Sequence, residues 1–249
     1  MGSNHLPMRG SEVIISPSVI CADFCNLLDD IRKLEETGIH SLHVDLIDGH
    51  FSPSMPLGLT VIEQLRNKSS LDFDVHIMAE DNEFFIKELT KIGVQSITFH
   101  YESAFHVERM LQLIKAAGSK AGIALNPATP LQVMDYVLEH CDYVLLMLIS
   151  PGYAGHKGEA MVPYALKKIT ECKKYIESRG LHTRIVVDGR VSMEVIAEVV
   201  AAGADCLVAG STSFFRKGAS LQDNFVQMNK EIQLGLEARN HREDGKHEL

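Results

Sequence analysis

Short apolar runs recur along the chain, each followed by a stretch in which apolar positions return every three or four residues. "VIISPSVI" (13–20) precedes "FCNLLDDIRKLEETG", "HSLHVDLID" (40–48) precedes "LTVIEQLRNK", and "LDFDVHIM" (71–78) precedes "NEFFIKELTKIG". "QSITFHYE" (95–102) precedes "AFHVERMLQLIKAAG", and "KAGIALN" (120–126) precedes "PLQVMDYVLEH". "DYVLLMLI" (142–149) leads through a loop to "VPYALKKITECKKYIESRG". "HTRIVVDG" (182–189) leads to "SMEVIAEVVAAG", and "DCLVAGS" (205–211) to "LQDNFVQMNKEIQLGLEA". Apolar, β-branched runs of this length suit strands covered on both faces, and the segments after them suit amphipathic helices. Gly38, Gly93, Gly118, Gly180 and Gly203 stand where helices should stop. Eight β-then-α units predict a single (β/α)8 TIM barrel over residues 13–236. A flexible N-terminal segment (1–12) and a polar C-terminal tail (237–249) are expected to flank it. An open doubly wound sheet is the competing architecture, but no Gly-x-Gly-x-x-Gly turn follows the first strand to favour it.

Several polar residues interrupt these runs. His43 and Asp45 alternate with Val44 and Leu46, so the two polar side chains leave the strand on one face. Burying an unpaired carboxylate there would cost on the order of several kcal/mol. In a (β/α)8 barrel the C-terminal strand ends carry the chemistry, and Ser18, His43, Asp45, His76, Asn126 and Asp188 all fall near such ends. Two imidazoles and two carboxylates suit a divalent metal such as Zn or Fe(II), whose charge would answer the burial problem. The plainer alternative is a set of buried ion pairs closing the barrel. Glycine-bearing loops follow strands six, seven and eight, at Gly152 to Gly155, Gly189–Arg190 and Gly210–Ser211. They suit a phosphate held by backbone N–H groups. Metal, phosphate and paired carboxylates together suggest proton chemistry on a phosphorylated carbonyl compound.

Other polar residues have simpler roles. Asp48 precedes Gly49 and suits a turn bonding its own backbone. His100 and Glu102 suit support or packing beside the mouth, Asn126 a turn between prolines, and Met147 the core. His50 and His156 fall in loops, and His40, His140 and His182 at element edges.

A formal net charge of −9 and a pI near 5.7 argue against a nucleic-acid surface. No apolar run approaches the roughly 18 residues of a membrane span, and the N-terminal stretch lacks the apolar centre of a signal peptide. The five scattered cysteines form no Cys-x-x-Cys pair, so reduced thiols and a cytoplasmic location are expected.

The stretches "SPSVICADF", "HVDLIDGHFSPS", "DVHIM", "NPATP", "MLISPGYAG", "VVDG" and "AGS", in this order and each at a strand end, carry a resemblance. From about residue 13 to 230 the chain resembles ribulose-phosphate 3-epimerases and relatives such as D-allulose-6-phosphate 3-epimerase. The resemblance implies a metal held by His43, Asp45, His76 and Asp188, with Asp45 and Asp188 as the two acid/base catalysts. It implies Ser18 and His76 beside the substrate oxygens, and Gly152, Tyr153, Ala154, Gly155, Gly189, Arg190, Gly210 and Ser211 around the phosphate and sugar chain. Zn or Fe(II) is the expected metal, with Mn or Co as further candidates, no organic cofactor, and a homo-oligomeric state. The chain departs from the family's usual wording at Ile47, at Ser52-Pro53-Ser54, in the loop after Gly152, and at Arg190, where the family has glycine. These positions leave both ribulose 5-phosphate/xylulose 5-phosphate and allulose 6-phosphate/fructose 6-phosphate open as substrates. A lyase of the related Asp-x-Lys-x-x-Asp type is disfavoured, because Asp45-Leu46-Ile47-Asp48 has no lysine. A non-catalytic sugar-phosphate-binding barrel is the alternative of a different class.

Overall fold

The computed structural model describes residues 13–152 and 159–247. All eight strands form, each somewhat shorter than the predicted run: β1 (Ile14–Pro17), β2 (Ser41–Ile47), β3 (Asp72–Met78), β4 (Ser96–His100), β5 (Lys120–Leu125), β6 (Tyr143–Met147), β7 (Arg184–Asp188) and β8 (Cys206–Ala209). They make one parallel sheet in the order β1-β8-β7-β6-β5-β4-β3-β2. β1 and β2 meet at its seam through the single bridge Ser18↔His43 and a hydrogen bond between the Ser16 and Ser41 hydroxyls at 2.9 Å. The result is a nearly closed (β/α)8-type barrel.

Among the described residues seven α-helices cover the outside: α1 (Leu27–Glu36), α2 (Leu59–Arg66), α3 (Asn82–Ile92), α4 (Val107–Ala116), α5 (Ala165–Glu177), α6 (Ile196–Ala202) and α7 (Leu221–His247). Their placement follows from their apolar stripes. In α1, Leu27, Ile31 and Leu34 are buried at helical spacing, while Lys33 and Glu36 face outward. α3 starts where the Asp81 carboxylate accepts the Phe84 N–H at 3.1 Å, and it ends at Gly93 in the left-handed region. The core between sheet and helices includes Val44, Leu46, Val75 and Ile77 against Ile31, Ile62 and Ile86. Each such side chain contributes about 1.5–3 kcal/mol on burial.

Two expectations change. The segment after β5 is not an α-helix but two 3₁₀ turns, Leu131–Met134 and Leu138–His140. The β-branched Val133 and Val137 make a poor helix of a short run. Asp135 also turns its carboxylate to the Tyr175 hydroxyl and the Arg179 guanidinium of the α5 region. At the other end of the chain, α7 continues beyond 236, where a tail is expected from the sequence, and Arg239 is bonded to the barrel base.

Candidate active site

Strand register builds the site. Asp45 pairs with His76 across β2 and β3, His43 with Asp74 one layer below, and Asp188 ends β7 beside Met147 of β6. Alternation then points His43, Asp45, His76 and Asp188 into the barrel. Asp45 Oδ1 lies 3.3 Å from His43 Nε2 and 3.6 Å from His76 Nδ1. Asp188 Oδ2 lies 3.9 Å and 3.6 Å from the same two nitrogens. One potential ligand atom from each of the four residues falls within 4.8 Å of all the others. Ser18 completes this corner, its hydroxyl donating to Asp45 Oδ2 at 2.8 Å.

The set fits a divalent metal on two grounds. His43 Nε2 and His76 Nδ1 are buried and have no hydrogen-bond partner, an arrangement that costs about 1–3 kcal/mol for each group unless something fills it. Metal–ligand bonds of about 2.0–2.2 Å place tetrahedral ligands roughly 3.4 Å apart, and the separations of 3.3–3.9 Å bracket that value. This could hold a cation without rearrangement of the backbone.

The electrostatics are those of charges packed together. Burial pushes the Asp45 carboxyl up, but His43 and His76 beside it outweigh burial and hold it well below the usual carboxylate range. Burial lowers His43, yet Asp45 and Asp74 raise it overall; burial lowers His76, and Asp188 and Asp45 raise it. Behind the histidines stand residues that the sequence did not single out. His43 Nδ1 is 2.8 Å from Asp74 Oδ2, whose other oxygen accepts the Ser96 hydroxyl at 2.7 Å. Asp74 precedes His76 by two in the same strand, and that spacing was the available clue.

A cavity opens above the four residues. Ser18, Asp45 and Asp188 line it together with Gly152, Gly189, Arg190, Gly210 and Ser211. The structure therefore brings together every candidate of the phosphate group among the described residues. Tyr153, Ala154, Gly155 and His156 lie outside the described residues. Met147, expected as core, belongs to an apolar cluster inside the barrel and also lines the cavity, with Met78, Ile149, Cys21 and Thr212. Burial, then the Asp45 charge, pushes the Cys21 thiol up to about 11, so it stays a thiol. Arg190 has a left-handed φ of 54°, the only non-glycine to do so among the described residues. Asp48 is structural as expected, its carboxylate accepting the N–H groups of His50, Phe51 and Glu80, each at 2.8 Å. Asn126 forms a turn with Thr129, and His40 and His182 are exposed.

The sequence model of the ribulose-phosphate 3 epimerase family matches residues 14–214. The chain belongs to the ribulose-phosphate 3-epimerase family. It is 40% identical over 204 residues to the ribulose-phosphate 3-epimerase of Escherichia coli K12, covering 82% of this chain and 89% of that one. It is 38% identical to the Bacillus subtilis enzyme of that name, over 80% of this chain and 91% of the other. Among solved structures, 3-hexulose-6-phosphate synthase from Salmonella typhimurium aligns with a TM-score of 0.64 at 14% identity, covering 89% of this chain and 99% of that one. Orotidine 5'-monophosphate decarboxylase from Sulfolobus solfataricus aligns with a TM-score of 0.63 at 15% identity, covering 90% and 100%. At such identities these two structures share the barrel alone with this epimerase-family chain.

Proposed function

We propose that the protein epimerises ribulose 5-phosphate and xylulose 5-phosphate at carbon 3, with Asp45 and Asp188 as the two proton-transfer groups. The observation that carries this is the convergence of both carboxylates, from strands separated by β8 and β1, on one buried point shared with His43 and His76. Inversion needs two groups, because one would return the proton to the face it left. The relatives named ribulose-phosphate 3-epimerase support a pentulose phosphate as substrate.

His43, Asp45, His76 and Asp188 would hold a divalent cation, Zn or Fe(II) by ligand type, with Mn or Co also compatible. Such an ion supplies electrophilic stabilisation of the enediolate. The chain's own residues do the rest. One aspartate takes the carbon 3 proton, made acidic by the neighbouring ketone, and the other delivers a proton to the opposite face. The Ser18 hydroxyl orients Asp45 through Oδ2, leaving Oδ1 turned to the histidines. Gly152, Gly189, Gly210 and Ser211, with Tyr153, Ala154 and Gly155, would hold the phosphate end, and Arg190 would add positive charge beside the cavity. No organic cofactor enters the reaction.

The same reading makes the protein a cytoplasmic homo-oligomer. Its five unpaired cysteines suit a reducing compartment, and Met55, Phe84 and Phe105 are exposed on three consecutive units. No helix among the described residues is long and apolar enough to cross a membrane.

The test is turnover of ribulose 5-phosphate in deuterated water, with allulose 6-phosphate as a second substrate. Deuterium should enter at carbon 3 as xylulose 5-phosphate forms. Asp45→Asn and Asp188→Asn should each lower kcat by about 10²–10⁴-fold. Full turnover by either variant would refute the two-carboxylate assignment. Tight binding with no turnover on either substrate would instead make this a sugar-phosphate-binding barrel.

A further inference from the structure

The two histidines of the cluster offer opposite ring nitrogens. His43 presents Nε2 and gives Nδ1 to Asp74 directly, whereas His76 presents Nδ1 and points Nε2 away from the cluster. His76 Nδ1 can bind a cation only as a bare lone pair, so the ring proton must sit on Nε2. That nitrogen lies 2.9 Å from Nε2 of His100 at the end of β4. One proton serves a hydrogen bond between two imidazole nitrogens, so His100 Nε2 must accept and its own proton must sit on Nδ1. His100 Nδ1 lies 3.1 Å from Glu102 Oε2, an acceptor. Glu102 Oε1 in turn receives the Asn126 N–H at 2.8 Å and the Thr129 hydroxyl. Each proton along this path has one place to be.

The surroundings enforce the path. His76 and His100 are fully buried, and the Phe51 ring covers His100 with centroids 4.6 Å apart. Water cannot take the place of either partner. Glu102 lies in the turn that follows β4, an exposed residue whose side chain is 23% exposed. The intervening imidazole thus lets a charged carboxylate act on His76 without a further carboxylate being buried beside Asp45, Asp74 and Asp188. Lys168 holds the receiving loop, its ammonium donating to the Asn126 and Pro127 carbonyls at 2.7 and 2.9 Å.

We propose that His100 and Glu102 are positioning residues that lock His76 as the Nε2–H tautomer and so aim its Nδ1 lone pair at the cation site. The proposal rests on the metal-site reading above, and its predicted consequence is in metal affinity. The probe is cobalt(II), added to the full metal-free chain, with affinity read by competition against a chromophoric chelator and the ligand field read from the visible spectrum. His100→Leu removes the acceptor. Glu102→Gln has one oxygen where the carboxylate has two, so either His100 Nδ1–H or Asn126 N–H meets an NH2 group. Both should bind cobalt about 10- to 100-fold more weakly than the unsubstituted chain, with an altered spectrum. His100→Gln, whose amide can accept from His76 and donate to Glu102, should keep most of the affinity while the metal-free thermal midpoint reports any packing loss separately. Glu102→Gln lies at the part-exposed end and keeps the test alive should His100→Leu not fold. Unchanged cobalt affinity in Glu102→Gln and His100→Leu, or equal losses in His100→Gln and His100→Leu, would overturn the proposal alone. An unsubstituted chain that binds no cobalt would overturn the metal site and the proposal with it.

Discussion

Gly152 shows how closely single residues set the mouth of this barrel. A Cβ at this position would stand 1.8 Å from Ser52 Oγ and 2.3 Å from Ser52 Cβ, and its φ of +78° disfavours any side chain. Ser52 reaches it from the loop after β2, donating to the Pro151 carbonyl at 3.1 Å. Gly152→Ala should therefore cost about 1–3 kcal/mol from overpacking, with about 1 kcal/mol more from the left-handed backbone. It should also raise KM, because Gly152 lines the cavity. Adding Ser52→Gly should recover the overpacking part and leave the backbone part. Denaturant midpoints of the two single variants and the double variant measure this, and strictly additive losses would contradict it. At this scale the sequence was legible wherever a residue's position in a strand settles its direction. His43, Asp45 and His76 alternate with apolar residues inside β2 and β3, Asp188 ends β7, and all four point inward by that alternation. The links from His76 to His100 and from Glu102 to Asn126 were not legible, because they depend on which strands become neighbours and in what register.

Between elements, the loop after β2 is held by one carboxylate. Asp48 gathers two N–H groups of its own loop and that of Glu80 beyond β3. Burial pushes its carboxyl up, but these three donors outweigh burial and leave it below its ordinary value. A depressed folded-state value means that the contribution is full above the ordinary carboxylate pKa of about 4 and is lost as pH falls below it. Asp48→Asn should be less stable than the unsubstituted chain by on the order of 1 kcal/mol near neutral pH, since the group is only partly buried and solvent weakens its bonds. That gap should narrow on going from about pH 7 to about pH 3. Urea midpoints across the range check this, and a gap that widens in acid would contradict the assignment. The strands and their order in the chain were readable here because apolar, β-branched runs have few alternatives. The fifth crossover was not: "PLQVMDYVLEH" has apolar spacing that suits a helix, but the run is short, and the contacts of Asp135 with Tyr175 and Arg179 accompany two 3₁₀ turns in its place.

Over the whole molecule the barrel has two chemically different ends, and its last helix secures the one away from the site. The Arg239 guanidinium donates to the Val200 carbonyl at 2.9 Å through Nε, to the Ala204 carbonyl at 2.6 Å through Nη2, and to Asp205 Oδ1 at 3.2 Å. Asp205 Oδ2 accepts the Ile185 N–H at 3.0 Å, and the Asp205 carbonyl accepts the Ile14 N–H at 3.0 Å. One arginine thus ties α7 to the starts of β7, β8 and β1, at the opposite end of those strands from Ser18 and Asp188. Composition marks residues 237–249 as a polar tail, because hydropathy does not reveal that one charged residue will find carbonyl partners. Arg239→Ala should destabilise the chain by about 2–4 kcal/mol, since it removes several charged hydrogen bonds and leaves Asp205 without its cation. Truncation after residue 236 should cost at least as much. Neither change should move kcat or KM at temperatures where the protein stays folded, because no cavity residue is touched. Thermal and urea unfolding followed beside turnover separates the two effects. A truncated chain as stable as the full one would mean that the barrel is complete at 236. A truncated chain that loses stability but keeps its kinetics would show that α7 closes the base of the barrel without touching the cavity at the opposite end.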